Sequence, residues 1–114
     1  GDAVSVDASE VSFNGLSGTI GCRIERMSTG EHMIVKIKEG HAAHIAGILV
    51  GSILRAVDGV DVQNRSTRFV KDLIVGPRGT FVTMALNPPG AHHSYVEDIM
   101  MVRGDTSAFH AVHG

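Results

Sequence analysis

The 114-residue chain has no tryptophan, one cysteine, three prolines and one tyrosine, and each scarcity removes a class of protein. With Cys22 alone, no internal disulfide can form, so the fold does not rest on an oxidising compartment and a cytoplasmic location is expected. Aromatic residues make up 4% of the chain. The core must therefore come from Ile, Val, Leu, Met and Ala, a composition that suits strands with short helices. No apolar run approaches the roughly eighteen residues of a membrane span, and Gly1-Asp2-Ala3-Val4-Ser5 lacks the basic-then-apolar order of a secretory signal; direct membrane insertion is not expected. A net charge of −2 offers little to a phosphate backbone, which argues against a nucleic-acid partner. The first residue is glycine and not methionine, as in a fragment cut from a longer protein with other domains. The length itself suits one domain that buries a core without metals or crosslinks.

What the chain does have is glycine, set between short apolar patterns. The most informative stretch is Ser17-Gly18-Thr19-Ile20-Gly21-Cys22-Arg23-Ile24. Glycines 18 and 21 allow the main chain to turn with positive φ at little steric cost. Successive amides in such a turn form a concavity able to hold a carboxylate.

From Cys22 to Met27 the residues alternate, with Cys22 and Ile24 on one face and Arg23 and Glu25 on the other, the pattern of a half-buried strand. His32 to Lys38 alternates again, which predicts Val35 and Ile37 inward and Lys36 and Lys38 outward. His41 to Ala46, between Gly40 and Gly47, is a small helix. Ser52 to Val57 is a strand closed by the hairpin signal Asp58-Gly59, after which Val60-Asp61-Val62 returns. Ser66 or Thr67 caps a second helix reaching Val75, with Val70, Leu73 and Ile74 as its apolar stripe and Gly76-Pro77 as its stop. Val11-Ser12-Phe13 and Phe81 to Leu86 complete six short strands and two helices within residues 11–87, a mainly β fold. Residues 1–10 read as a flexible leader. Pro88-Pro89-Gly90 opens a C-terminal extension over residues 88–114 whose structure is left open, with an apolar patch at Val96, Ile99, Met100, Met101 and Val102.

In order and spacing these landmarks resemble a PDZ domain across residues 11–87. Thr19-Ile20-Gly21-Cys22 is similar to the family's Gly-Leu-Gly-Phe loop, and Gly40-His41-Ala42-Ala43-His44-Ile45-Ala46-Gly47 to its first helix. Gly51 to Gly59 resembles the family's Gly-Asp-x-Ile-Leu-x-Val-Asn-Gly strand and turn. Thr67 to Ile74 and Gly79 to Thr83 resemble the second helix and last strand.

The resemblance implies a partly open six-stranded β-barrel or sandwich that captures peptides and carries out no chemistry. A C-terminal, or internal extended, segment of another protein would add as an antiparallel strand to the Cys22–Met27 edge, in a groove walled by the second helix. Thr19, Ile20, Gly21, Cys22, Arg23, Ile24 and Glu25 would serve from the loop and strand, with the amides of 20–22 on the carboxylate. Thr67, Val70, Lys71 and Ile74 would serve from the helix. Arg23, Lys36 and Lys38 would form a basic strip favouring acidic ligand residues.

The chain departs from the family at four points. No Arg or Lys lies in Asn14 to Gly18; Thr67 stands where some members carry His; Cys22 replaces a bulky Phe; and Ser52 replaces an Asp. Leu73 to Thr80 also resembles the end of the PDZ domain in C-terminal processing proteases, which gives an alternative reading as the substrate-selecting domain of a larger protease. No cofactor is implied.

Two further readings come from single residue types. A thiol beside loop amides is a candidate nucleophile, so a small enzyme using Cys22 or histidines is an alternative from another class, against the plainer reading of Cys22 as an apolar pocket residue. His41 and His44 share a helix face, yet their spacing from the other five histidines matches no compact metal-ligand set. No metal site is expected. The apolar patch at 96–102 reads first as an added helix or strand packed on the domain. A second reading has part of residues 91–114 lying in the groove of its own or a neighbouring molecule, a route to self-association.

Overall fold

The computed structural model describes residues 2–6 and 17–106. Among these, the strands are β1 (Asp2–Val6), β2 (Ser17–Gly18), β3 (Cys22–Arg26), β4 (His32–Ile37), β5 (Ile53–Val57), β6 (Val60–Asp61), β7 (Gly76–Pro77), β8 (Phe81–Asn87) and β9 (Glu97–Val102). The helices are α1 (Ala42–Ile45) and α2 (Thr67–Ile74). The main sheet runs β1-β3-β4-β5-β8-β9 with β6 paired to β5, every pairing antiparallel; β2 and β7 make a separate two-residue ladder. The strand expected at Val11-Ser12-Phe13 lies outside the described residues, as do residues 107–114.

Each local signal has a visible cause. Asp58 and Gly59 take φ of 50° and 80°. This is the doubly positive turn that matches the twist of a tight hairpin. Ser66 caps α2, its side-chain oxygen accepting from the Phe69 amide at 3.1 Å. The helix buries Thr67, Val70 and Ile74, one stripe at i, i+3 and i+7. These meet Ile20, Ile34, Leu54, Val57, Val62, Val82, Met84 and Leu86, all at 1% exposure or less, in a single aliphatic core.

Two expectations are corrected. The inward residues of β4 are His32 and Ile34, whereas Val35 is only half-buried. The cause is a bulge: Arg23 pairs with Lys36 while Ile24 pairs with Ile34, so Val35 is an extra residue and the facing reverses across it, leaving Ile37 opposite Cys22. A second bulge lies in β5, where Leu54 pairs with Leu86 and Ala56 with Ala85, so Arg55 is the extra residue there. In the stretch expected to be a flexible leader, Asp2–Val6 form β1 through main-chain pairing with β3.

The described part of the C-terminal extension completes the sheet. Residues 97–102 pair with β8 throughout, from Leu86↔Glu97 to Phe81↔Val102. The Asn87 side-chain amide donates to the His92 and Tyr95 carbonyls at 2.8 and 2.9 Å and so clamps the connecting loop. They lie at the opposite sheet edge from β3, so residues 97–102 are a sheet strand and do not lie in the groove.

Beyond β9, Arg103 is 9% exposed. Its Nε donates to the Ile74 carbonyl at 2.7 Å, Nη1 to Thr80 Oγ1 and the Phe81 carbonyl at 2.9 and 2.8 Å, and Nη2 to the Leu73 carbonyl at 3.2 Å. Gly76 makes room, since a Cβ there would come within 2.8 Å of Nε. Arg103→Ala should lower unfolding stability by about 3 kcal/mol, because the carbonyls it serves lose a charged donor. Arg103→Lys should recover less than half of that in urea denaturation, since one ammonium cannot span the same acceptors.

Candidate functional site

The loop ahead of β3 is shaped by its carbonyls. Those of Thr19, Ile20 and Gly21 accept from the amides of Gly104 (2.8 Å), Ala43 (2.9 Å) and Lys38 (2.8 Å). In a planar trans peptide the N–H of the next residue points opposite to the carbonyl. The amides of Ile20, Gly21 and Cys22 are thereby turned away from residue 104, α1 and β4. Gly21 has φ of 73°, and a Cβ there would overlap the Cβ of His41 and lie 2.9 Å from its Cγ. Only glycine fits the turn.

From this loop β3 runs out with α2 beside it, and the two bound a groove. Ile20, Cys22 and Ile24 on one side and Val70 and Ile74 on the other are at 3% exposure or less, and Thr67 is at 8%. Thr19 is buried at the loop's start. Arg23 is exposed and opposite exposed Lys36, with exposed Lys38 next along, so the basic strip forms on the outer face. Glu25 and Lys71 are half-buried at the margins. The structure thus brings the loop, strand and helix residues singled out in the sequence to one place.

The groove between β3 and α2 holds β1. Asp2 pairs with Arg26, Ala3 with Glu25, Val4 with Ile24, Ser5 with Arg23 and Val6 with Cys22. The β1 backbone also lies against α2. Its direction brings Val6 to the loop end. The sequence signal was the alternation of valines 4 and 6, too short to separate from a loose leader.

Arg103 was missed too, though in phase with Ile99 and Met101 it had to face inward. Cys22 is 3% exposed and belongs to the apolar core. His44 Nδ1 accepts from the Gly40 amide at 3.1 Å, capping the bend before α1. Among the described residues, no group of three His, Cys, Asp or Glu could hold a metal ion.

The sequence profile of the PDZ domain matches residues 10–87. This chain belongs to the PDZ domain family. The PDZ domain of a carboxy-terminal protease from Vibrio cholerae, solved in complex with peptide, is similar in structure (TM-score 0.66, 25% identity, covering 77% of this chain and 93% of that one). A photosystem II D1 C-terminal processing protease shares the fold at 23% identity and a TM-score of 0.72, over 90% of this chain and 28% of its own length. An HtrA-type protease solved with a decapeptide shares it at 10% identity and a TM-score of 0.66, over 87% of this chain and 33% of that one. This PDZ domain therefore spans under a third of the processing protease it resembles. No curated protein matches it in sequence. It is a recognition module, resembling those of C-terminal proteases, with a mainly antiparallel sheet and two helices.

Gly21→Ala in this PDZ domain should lower stability by about 1–3 kcal/mol, the cost of a strained left-handed backbone with a steric overlap added. A thermal melt checks it: an unchanged midpoint would mean the loop relaxes freely around the new methyl.

Proposed function

We propose that this PDZ domain captures extended peptide segments of other proteins by strand addition along β3, in the groove walled by α2. The observation that carries the proposal is β1, an antiparallel strand already seated on that edge against that helix. In such binding, main-chain hydrogen bonds supply affinity and alternate side chains supply specificity. A ligand residue opposite Cys22 or Ile24 shares a face with those buried side chains, because directly opposed residues of an antiparallel pair do so. A residue opposite Arg23 meets the basic strip; an acidic one there gains about 1 kcal/mol or less, since the charges are exposed. The outward-turned amides of 20–22 suit a terminal carboxylate.

A second reading is favoured by the likeness to processing proteases: the domain selects substrate tails for a protease region elsewhere in a longer chain. A longer chain carrying a Ser and Lys protease region would establish it. A parent without any protease region removes it.

The test of strand capture is a set of peptides with free and amidated C-termini, followed by amide chemical shifts. Binding should perturb Ile20 to Ile24 and Thr67 to Ile74, and amidation should weaken it about tenfold where the loop holds the carboxylate. Equal binding of amidated peptides would assign the groove to internal segments. Peptides that bind while leaving both stretches unshifted would overturn the groove.

A further inference from the structure

We infer that Asp2–Val6 is an intramolecular ligand of the peptide groove, so that a peptide from another protein binds by displacing it; the inference rests on the strand-capture reading above. Three observations carry it. The segment pairs with β3 along the whole of that strand, residue for residue from Asp2↔Arg26 to Val6↔Cys22, with no irregularity in register. It runs antiparallel to β3 and lies against α2, the orientation and position the proposed ligand needs. The register also pairs Val4 with Ile24 and Val6 with Cys22, two residues buried in β3, and places Ala3 and Ser5 at the positions between.

This assigns a ligand class as well as a regulation. Val6 pairs with Cys22 at the loop end of the groove, yet Val6 carries a peptide bond and no carboxylate, because Asp7 follows it. The groove therefore takes an internal strand, and its selection falls on small branched apolar side chains at alternate positions. An external competitor carries the same Val-x-Val spacing and adds what the internal strand lacks, a terminal carboxylate for the amides of 20–22.

Ten positions of sequence, 7–16, separate the segment from β2, so its pairing with β3 is intramolecular. Intramolecular pairing over a separation this short corresponds to an effective concentration of about a millimolar. A segment that alone binds with a Kd near 100 μM would then fill the groove about nine-tenths of the time and raise the apparent Kd of a competitor about tenfold.

The experiment compares the intact chain with two variants, using a fluorescein-labelled Asp-Ala-Val-Ser-Val peptide with a free carboxylate and its amidated form, read by anisotropy. Val4→Asp with Val6→Asp places charges opposite the apolar lining and should release the segment, tightening peptide binding about tenfold. Asp2→Cys with Arg26→Cys joins directly opposed residues, whose Cα separation in such a pair, about 4.5–5.5 Å, suits a disulfide. Its oxidised form should bind the peptide at least about tenfold more weakly than its reduced form.

Equal affinity in all forms that bind would overturn the inference. Dimerisation at working concentration that Val4→Asp with Val6→Asp abolishes would also overturn it, assigning the strand to a second copy. If no form binds either peptide, while the aspartate pair shifts the amide resonances of Cys22 to Arg26 and the disulfide forms completely, the internal ligand stands. Capture of outside peptides is then what fails.

Discussion

The groove depends on one guanidinium. α2 forms one wall, and a short helix beside an open sheet edge needs its far end fixed if the gap is to keep its width. Arg103 fixes it by donating to the Leu73 and Ile74 carbonyls at the C-terminal end of α2 while its other nitrogen grips Thr80 and Phe81 at the start of β8. A cation at that end also complements the partial negative charge of the helix terminus. Its ion pair with Asp58, at 3.7 Å to a carboxylate 48% exposed, adds little beside those bonds. Asp58 is engaged elsewhere, accepting from the Thr83 amide at 2.8 Å. The residue that holds the groove wall comes from position 103, beyond the stretch matched by the family profile, so the domain is complete only with β9 and the turn after it.

The other wall is set by how β3 is approached. Because three successive carbonyls in the loop point to Gly104, α1 and β4, three successive amides turn away from them, and the turn closes only with glycine at 21. β3 then leaves the loop with Cys22 and Ile24 buried and Arg23 exposed. The bulge at Val35 lets β4 follow this edge and still place both Ile34 and Ile37 against the core. A bulge also increases local twist.

Most of this was legible wherever a signal is local. Asp58-Gly59 requires two positive φ values, Ser66 offers a capping oxygen, and the faces of β3 follow from strict alternation. Legibility failed where a distant contact decided the outcome. The buried set of β4 depends on a one-residue slip against β3, which no period-two count of β4 alone can register. Gly76-Pro77 reads as a helix stop and is one, but the same two residues also pair with Ser17-Gly18. Arg103 reads as a surface cation because the carbonyls that justify its burial lie some thirty residues back, on α2. Among the site residues, those of the loop and β3 share a continuous pattern, whereas joining them to Thr67, Val70, Lys71 and Ile74 rested on family resemblance.

β1 was illegible for a different reason, and that reason separates the two outer strands of the sheet. β9 is secured beyond its ladder by the Asn87 clamp on its loop, by Arg103 after its last residue, and by burial of Met101 at 4% exposure. Residues that carry such anchors cannot leave without exposing core and orphaning carbonyls. β1 is a five-residue strand whose described partners are a sheet edge and one helix face. Pairing of that kind is satisfied equally by any strand of suitable side chains, since main-chain donors and acceptors are the same in every sequence. The β9 edge is thus secured by residues specific to it, whereas β1 holds the β3 edge through main-chain pairing. That asymmetry is what a sheet must have if one of its edges is to bind.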